Sequence, residues 1–126
     1  MKRDEIIAKW DAMKPRERDV WVAEAVFGYT IGRERRINGL LFVYKNVGIR
    51  QSLPYYTTDL SAAWTVFELN GTYGNVGYMG DEYYCEMWAR WDENGSGVDV
   101  IVGGNSGPEA ICLAALIAKL TEVADV

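Results

Sequence analysis

The apolar positions of this chain change period several times, and each change marks an element. In residues 3–13, RDEIIAKWDAM, Ile6, Ile7, Trp10 and Met13 recur at helical spacing and share one face. Pro15 suits the first turn of a second helix, where its missing N–H is harmless. Val22, Ala23, Val26 and Phe27 give that helix an apolar stripe, with Glu17 and Glu24 opposite and Gly28 as its stop. Trp21 falls outside the stripe and needs cover from Trp10 or another element. Asn38-Gly39 is a tight-turn signal before the strand-like run Leu40 to Tyr44. After Pro54, Thr57 or Thr58 is placed to cap a third helix, with Asp59 in its first turn. Leu60, Ala63, Trp64 and Phe67 are its expected buried face, and Asn70-Gly71 its end.

Period two then takes over. From Glu82 to Asp92, Tyr83, Cys85, Met87, Ala89 and Trp91 point one way, and Glu82, Tyr84, Glu86, Trp88, Arg90 and Asp92 the other. Val76 to Met79 is expected to pair with this strand across Gly80-Asp81. Val98 to Val102 is the expected return strand after the turn signal at 93–97. The nine consecutive apolar residues Ala110 to Ala118 form a helix that must be buried on more than one side. Together these elements predict a single α+β domain over residues 1–126, with antiparallel hairpins and helices laid on the sheet. Trp10, Trp64, Tyr83 and Trp91 are expected in its core.

The glycine-rich entry to the last helix, GGNSGPEA, invites comparison with an anion cradle. It lacks the Lys-Ser/Thr of a phosphate-binding loop and is not GxGxxG. Pro108 removes one donor, and Glu109 repels anions. The stretch reads instead as turn, cap at Ser106 or Gly107, and buried helix.

Composition narrows the chemistry further. The 126 residues contain no histidine, which excludes Ser-His-Asp and Cys-His catalysis and the commonest zinc ligand. Cys85 and Cys112 lie far apart in apolar patterns, so two buried free thiols are expected, with no metal and no cofactor. The net charge of −5 is uneven: residues 1–36 carry +2 and residues 37–126 carry −7. An acidic body is a poor surface for duplex nucleic acid. The basic cluster Arg33-Glu-Arg-Arg36 reads as a solvated loop. No apolar run reaches membrane-spanning length, and the opening residues carry acids where a signal peptide is apolar. The expected location is the cytoplasm.

Two segments, LPYYTTDLSAAWTVFELN and GPEAICLAALIAKL, resemble the paired signature of the phage ABA sandwich domain family. ERDVWVAEAVFG is similar to the usual helix before a glycine in that family. The resemblance implies a small phage or prophage protein with an antiparallel sheet between helical layers. It implies no enzyme activity and carries over no catalytic residue. The glycine-rich stretch from Thr72 to Asp81 departs from the family pattern.

The expected function is therefore non-enzymatic: a phage accessory protein that binds a host or phage macromolecule, or itself. Tyr84 and Trp88, on the more polar strand face, either pack under a helix or form the binding patch. The alternative is a small-molecule binder that sequesters a nucleotide signal near Tyr55, Tyr56, Asn105 and Ser106.

Overall fold

The computed structural model describes residues 1–37, 40–46, 49–70, 73–90 and 97–124. The expected turns at Asn38-Gly39 and in the 93–96 stretch, the helix stop at Gly71, and the positions of Trp91 and Asp92 lie outside them. The elements run α1 (Arg3–Asp11), α2 (Pro15–Ala25), β1 (Thr30–Ile37), β2 (Leu40–Asn46), β3 (Ile49–Ser52), α3 (Leu60–Asn70), β4 (Tyr73–Met79), β5 (Glu82–Arg90), β6 (Gly97–Gly104) and α4 (Gly107–Ala124). The class is α+β. The strands form two antiparallel three-stranded sheets, ordered β1-β2-β3 and β4-β5-β6.

The second sheet and α4 are the centre of the domain. Cys85, Met87, Val100 and Val102 alternate along β5 and β6 and are buried, and α4 lies against both strands. On its other sides α4 meets α3, α1 and α2. That surrounding explains its composition: every residue from Ala110 to Ala118 is buried. Its entry is a reciprocal cap. Ser106 Oγ accepts the Glu109 N–H (3.3 Å) and donates to Glu109 Oε2 (3.2 Å). Arg18 of α2 adds an ion pair to Glu109 Oε1 at 3.2 Å.

The first two helices follow the sequence closely. Ile6 and Trp10 of α1 and Val22, Ala23 and Val26 of α2 are buried. Trp21 is buried too, with Lys9 Nζ of α1 at 4.5 Å from its ring centroid. Gly28, at φ +72°, takes the left-handed turn that lets the Tyr29 N–H reach back to Ala23 O.

Four expectations are corrected. Arg33-Glu-Arg-Arg36 is strand, not loop: it lies in β1, between Gly32 and Ile37, which pair with Phe42 and Leu40 of β2. The α3 cap is Asp59, whose Oδ1 accepts the Ser61 N–H at 3.0 Å, because Thr57 is engaged elsewhere. The buried arc of α3 is Ala63, Val66 and Phe67, while Leu60 and Trp64 are exposed; Trp64 stacks on Phe67 at the rim, 4.9 Å between centroids. Tyr83 is also exposed, because its partner in β6, Gly104, is where the chain turns away into α4.

Candidate functional site

The two faces of the second sheet differ in kind. One is covered by α4. The other carries Asn75, Met79, Glu82 and Ile101 in solvent, with Tyr84, Glu86 and Trp88 half-buried. Strand register arranges these residues. Ile101 of β6 sits opposite Glu86, so Tyr84 and Trp88, two positions either side on β5, are its diagonal neighbours. Ile101 is 56% exposed, a large value for a branched aliphatic residue in the middle of a strand. Gly77 of β4 lies opposite Tyr84, and a Cβ there would stand 2.7 Å from the Tyr84 ring. The glycine therefore lets the ring lie flat over β4. The result is a shallow surface on which Tyr84, Ile101 and Trp88 surround Glu86, with Glu82 at one end.

The sequence singles out Tyr84 and Trp88 but not Ile101. Ile101 belongs to the run Val98 to Val102, which looks uniformly apolar. Only its phase with Asp99 marks it as outward-facing.

Tyr55, Tyr56, Asn105 and Ser106 are not gathered into one cleft. Tyr56 is buried, stacked on Phe27 (5.3 Å), with its carbonyl accepting from Cys112 Sγ at 3.3 Å. Burial raises its phenol pKa well above the ordinary value. Tyr55 is exposed, its ring under the Arg16 guanidinium at 3.7 Å. Asn105 is exposed, and Ser106 is occupied as the α4 cap. Of the four, Ser106 lines a cleft of about 420 Å³ with Leu60, Val76, Tyr78, Tyr83 and Pro108. Those walls are apolar and aromatic, Tyr78 and Tyr83 standing 4.9 Å apart, and Pro108 has no N–H to offer an anion.

The YYTTD stretch has a different role, which the sequence does not disclose. Asp19 of α2 is 1% exposed, and its Oδ1 accepts both the Thr57 N–H and the Thr57 hydroxyl at 2.9 Å. Its Oδ2 takes Arg16 Nη1 at 2.8 Å. Arg16 also donates to Pro54 O (2.9 Å) and Leu53 O (2.8 Å). This network ties α2 to the segment before α3. It is a structural clasp, with the Asp19 carboxylate fully engaged inside it.

Both cysteines are free and buried. Burial pushes the Cys85 thiol from 9.0 up to about 12, and the Cys112 thiol is raised well above its ordinary value, first by burial and then by Asp19. The reactive thiolate is therefore scarce at neutral pH. Both thiols are expected to react slowly with a disulfide reagent at pH 7 and fully after denaturation. The same shifts set an alkaline limit. The unfolded thiols ionise near pH 9 while the folded ones stay protonated, so stability should fall as pH rises from about 9 toward 12. Two fast-reacting thiols in native protein would contradict this burial. Among the described residues, no three Cys, Asp or Glu side chains converge as a metal site. Nor, among the described residues, is any helix long and apolar enough to cross a membrane.

The model of the phage ABA sandwich domain matches residues 20–116, the stretch from α2 into α4. The chain belongs to the phage ABA sandwich domain family. A solved structure of a phage protein from Bacillus cereus ATCC 14579 shares the architecture of this family member. Its TM-score is 0.64 at 26% identity, covering 85% of this chain and 93% of that one. No curated protein matches the sequence. The matched region contains both motifs that carry the resemblance, YYTTD before α3 and PEAIC in α4.

Proposed function

We propose that this phage ABA sandwich domain is a non-enzymatic accessory module that binds a protein partner in the bacterial cytoplasm through the outer face of β4-β5-β6. The observation that carries the reading is Ile101, a large aliphatic side chain held in solvent between two aromatic residues. Rigid aromatic and aliphatic groups of this kind form the desolvated centre of protein interfaces. Glu86 lies among these apolar groups and Glu82 at one end, so the fitting partner presents apolar side chains with a lysine or arginine placed to meet Glu86. The absence of histidine removes the usual general base, which weighs against catalysis.

The test compares capture from infected cells by the wild-type protein, Ile101→Glu, Trp88→Ala and Ser106→Ala, each first shown to keep its native circular dichroism. The partner, identified by mass spectrometry, should be lost about tenfold or more with the first two variants, as for central interface residues. Ser106→Ala should capture it normally. Full capture by both face variants would sink the proposal. Loss of capture by Ser106→Ala alone would move the site to the cleft.

A further inference from the structure

Tyr83 lies on the α4 side of the second sheet, in phase with the buried Cys85 and Met87, yet it is 40% exposed. The chain enters α4 only at Gly107, so the helix leaves this end of the sheet open. Tyr83 pairs with Tyr78 of β4, which is 61% exposed. Their rings stand 4.9 Å apart with planes inclined at 55°, so they form two walls of a corner and not a stack. Leu60 at the head of α3, Val76 of β4 and Pro108 at the head of α4 complete a cleft of about 420 Å³. That size is usual for a small-molecule site. The corner lies on the opposite face of the sheet from Ile101.

The charge around this corner decides what it can hold. Residues 51–118, which supply every wall, contain nine acidic residues and one basic residue, Arg90, at the far end of β5 from Tyr83. Asp81 and Glu82 follow the Gly80 turn between the two tyrosines, Asp59 precedes Leu60, and Glu109 follows Pro108. Against these four stand Arg18, paired with Glu109 at 3.2 Å, and the positive ends of α3 and α4, worth about half a charge each. The balance is about −2, which disfavours an anion. Tyrosine ring faces carry negative potential and favour a cation. A bare ammonium would give up strong hydration for apolar walls. A quaternary ammonium has no N–H to satisfy, and its methyl groups pack against rings and aliphatic side chains alike.

We propose that the cleft at the head of α4 binds a small quaternary ammonium compound, its charged head in the corner of Tyr78 and Tyr83. Both ring centroids lie within the reach of one cation placed between them. Leu60, Val76 and Pro108 receive the alkyl body. The acidic surroundings raise the local concentration of the cation and repel phosphates and carboxylates.

The experiment is an amide NMR titration of the full chain with choline and with 3,3-dimethylbutan-1-ol, the neutral alcohol of the same shape. Choline should bind saturably and shift the amides of residues 76–83 and 106–109, about tenfold more tightly than the alcohol. Tyr78→Leu and Tyr83→Leu keep an apolar wall but remove a ring face. Each should bring choline down to the affinity of the alcohol, with unchanged circular dichroism. Tyr78 stands largely in solvent, so its replacement leaves the fold in place. No saturable shift with choline up to about 10 mM would overturn the proposal. So would equal affinity for choline and the alcohol, or full choline affinity in Tyr78→Leu. A trimethyllysine peptide that binds where choline does not would also overturn it, and would give the corner to a protein partner. Neither variant touches the outer face, so its capture test stands separately.

Discussion

Asp19→Ala should lower the unfolding free energy by about 3 kcal/mol, although no part of Asp19 faces a ligand. The carboxylate serves two buried donors of Thr57 and the Arg16 guanidinium. Leaving a buried donor unpaired costs about 1–3 kcal/mol. The Thr57 N–H has no substitute acceptor among its contacts and bears the full cost. The Thr57 hydroxyl keeps a long contact with Pro15 O at 3.4 Å, and Arg16 keeps Leu53 O and Pro54 O, so both lose less. Arg16 is also partly open to water, which screens the ion pair. Thr57→Val isolates the hydroxyl and should cost about 1 kcal/mol. Chemical denaturation of the two variants should give that order. An Asp19→Ala loss below that of Thr57→Val would show that the clasp does not hold α2 to the segment before α3.

Leu116→Ala should cost about 2–5 kcal/mol, toward the upper end of that range. Leu116 is fully buried in the middle of α4, a helix that packs against α1, α2 and α3 as well as β5 and β6. A site enclosed from all directions relaxes little around a lost side chain, so the cavity remains and adds to the lost transfer energy. Leu69 is a natural control, since it is 57% exposed on α3. Leu69→Ala should stay within about 0.5 kcal/mol, the range of surface substitutions. Equal losses for the two leucines would mean that α4 is not the centre of the core.

These two residues also mark how far the sequence could be read. Leu116 was legible because nine apolar residues in succession leave a helix no solvated side. Asp19 was not. An acid in a helix three residues after an arginine looks like any solvated pair. Its burial depends on Thr57, 38 residues away, arriving over it. The same distinction runs through the strands. The alternation in β5 disclosed its two faces, and Cys85 and Met87 are buried as the pattern required. Strand β1 was hidden because its RERR run masks period two, and the residues that pair with β2, Thr30 to Gly32 and Ile37, lie on either side of it. In α3, Trp64 had the right spacing for the core. The helix packs through the neighbouring arc, where Ala63 and Val66 permit closer approach to α4. At the candidate face, Tyr84 and Trp88 could be proposed from phase alone. The openness of the face and the part of Ile101 in it depend on where α4 lies, which no local pattern states.

The position of α4 in chain order has a consequence for biosynthesis. The helix that fills the middle of the domain follows every strand it packs against. Strands β5 and β6, with Cys85, Met87, Val100 and Val102, are therefore synthesised before the segment that covers them. The emerging chain cannot close its core until residues 107–124 have cleared the exit tunnel. Over that interval its apolar sheet face is open to chaperones and to other nascent copies.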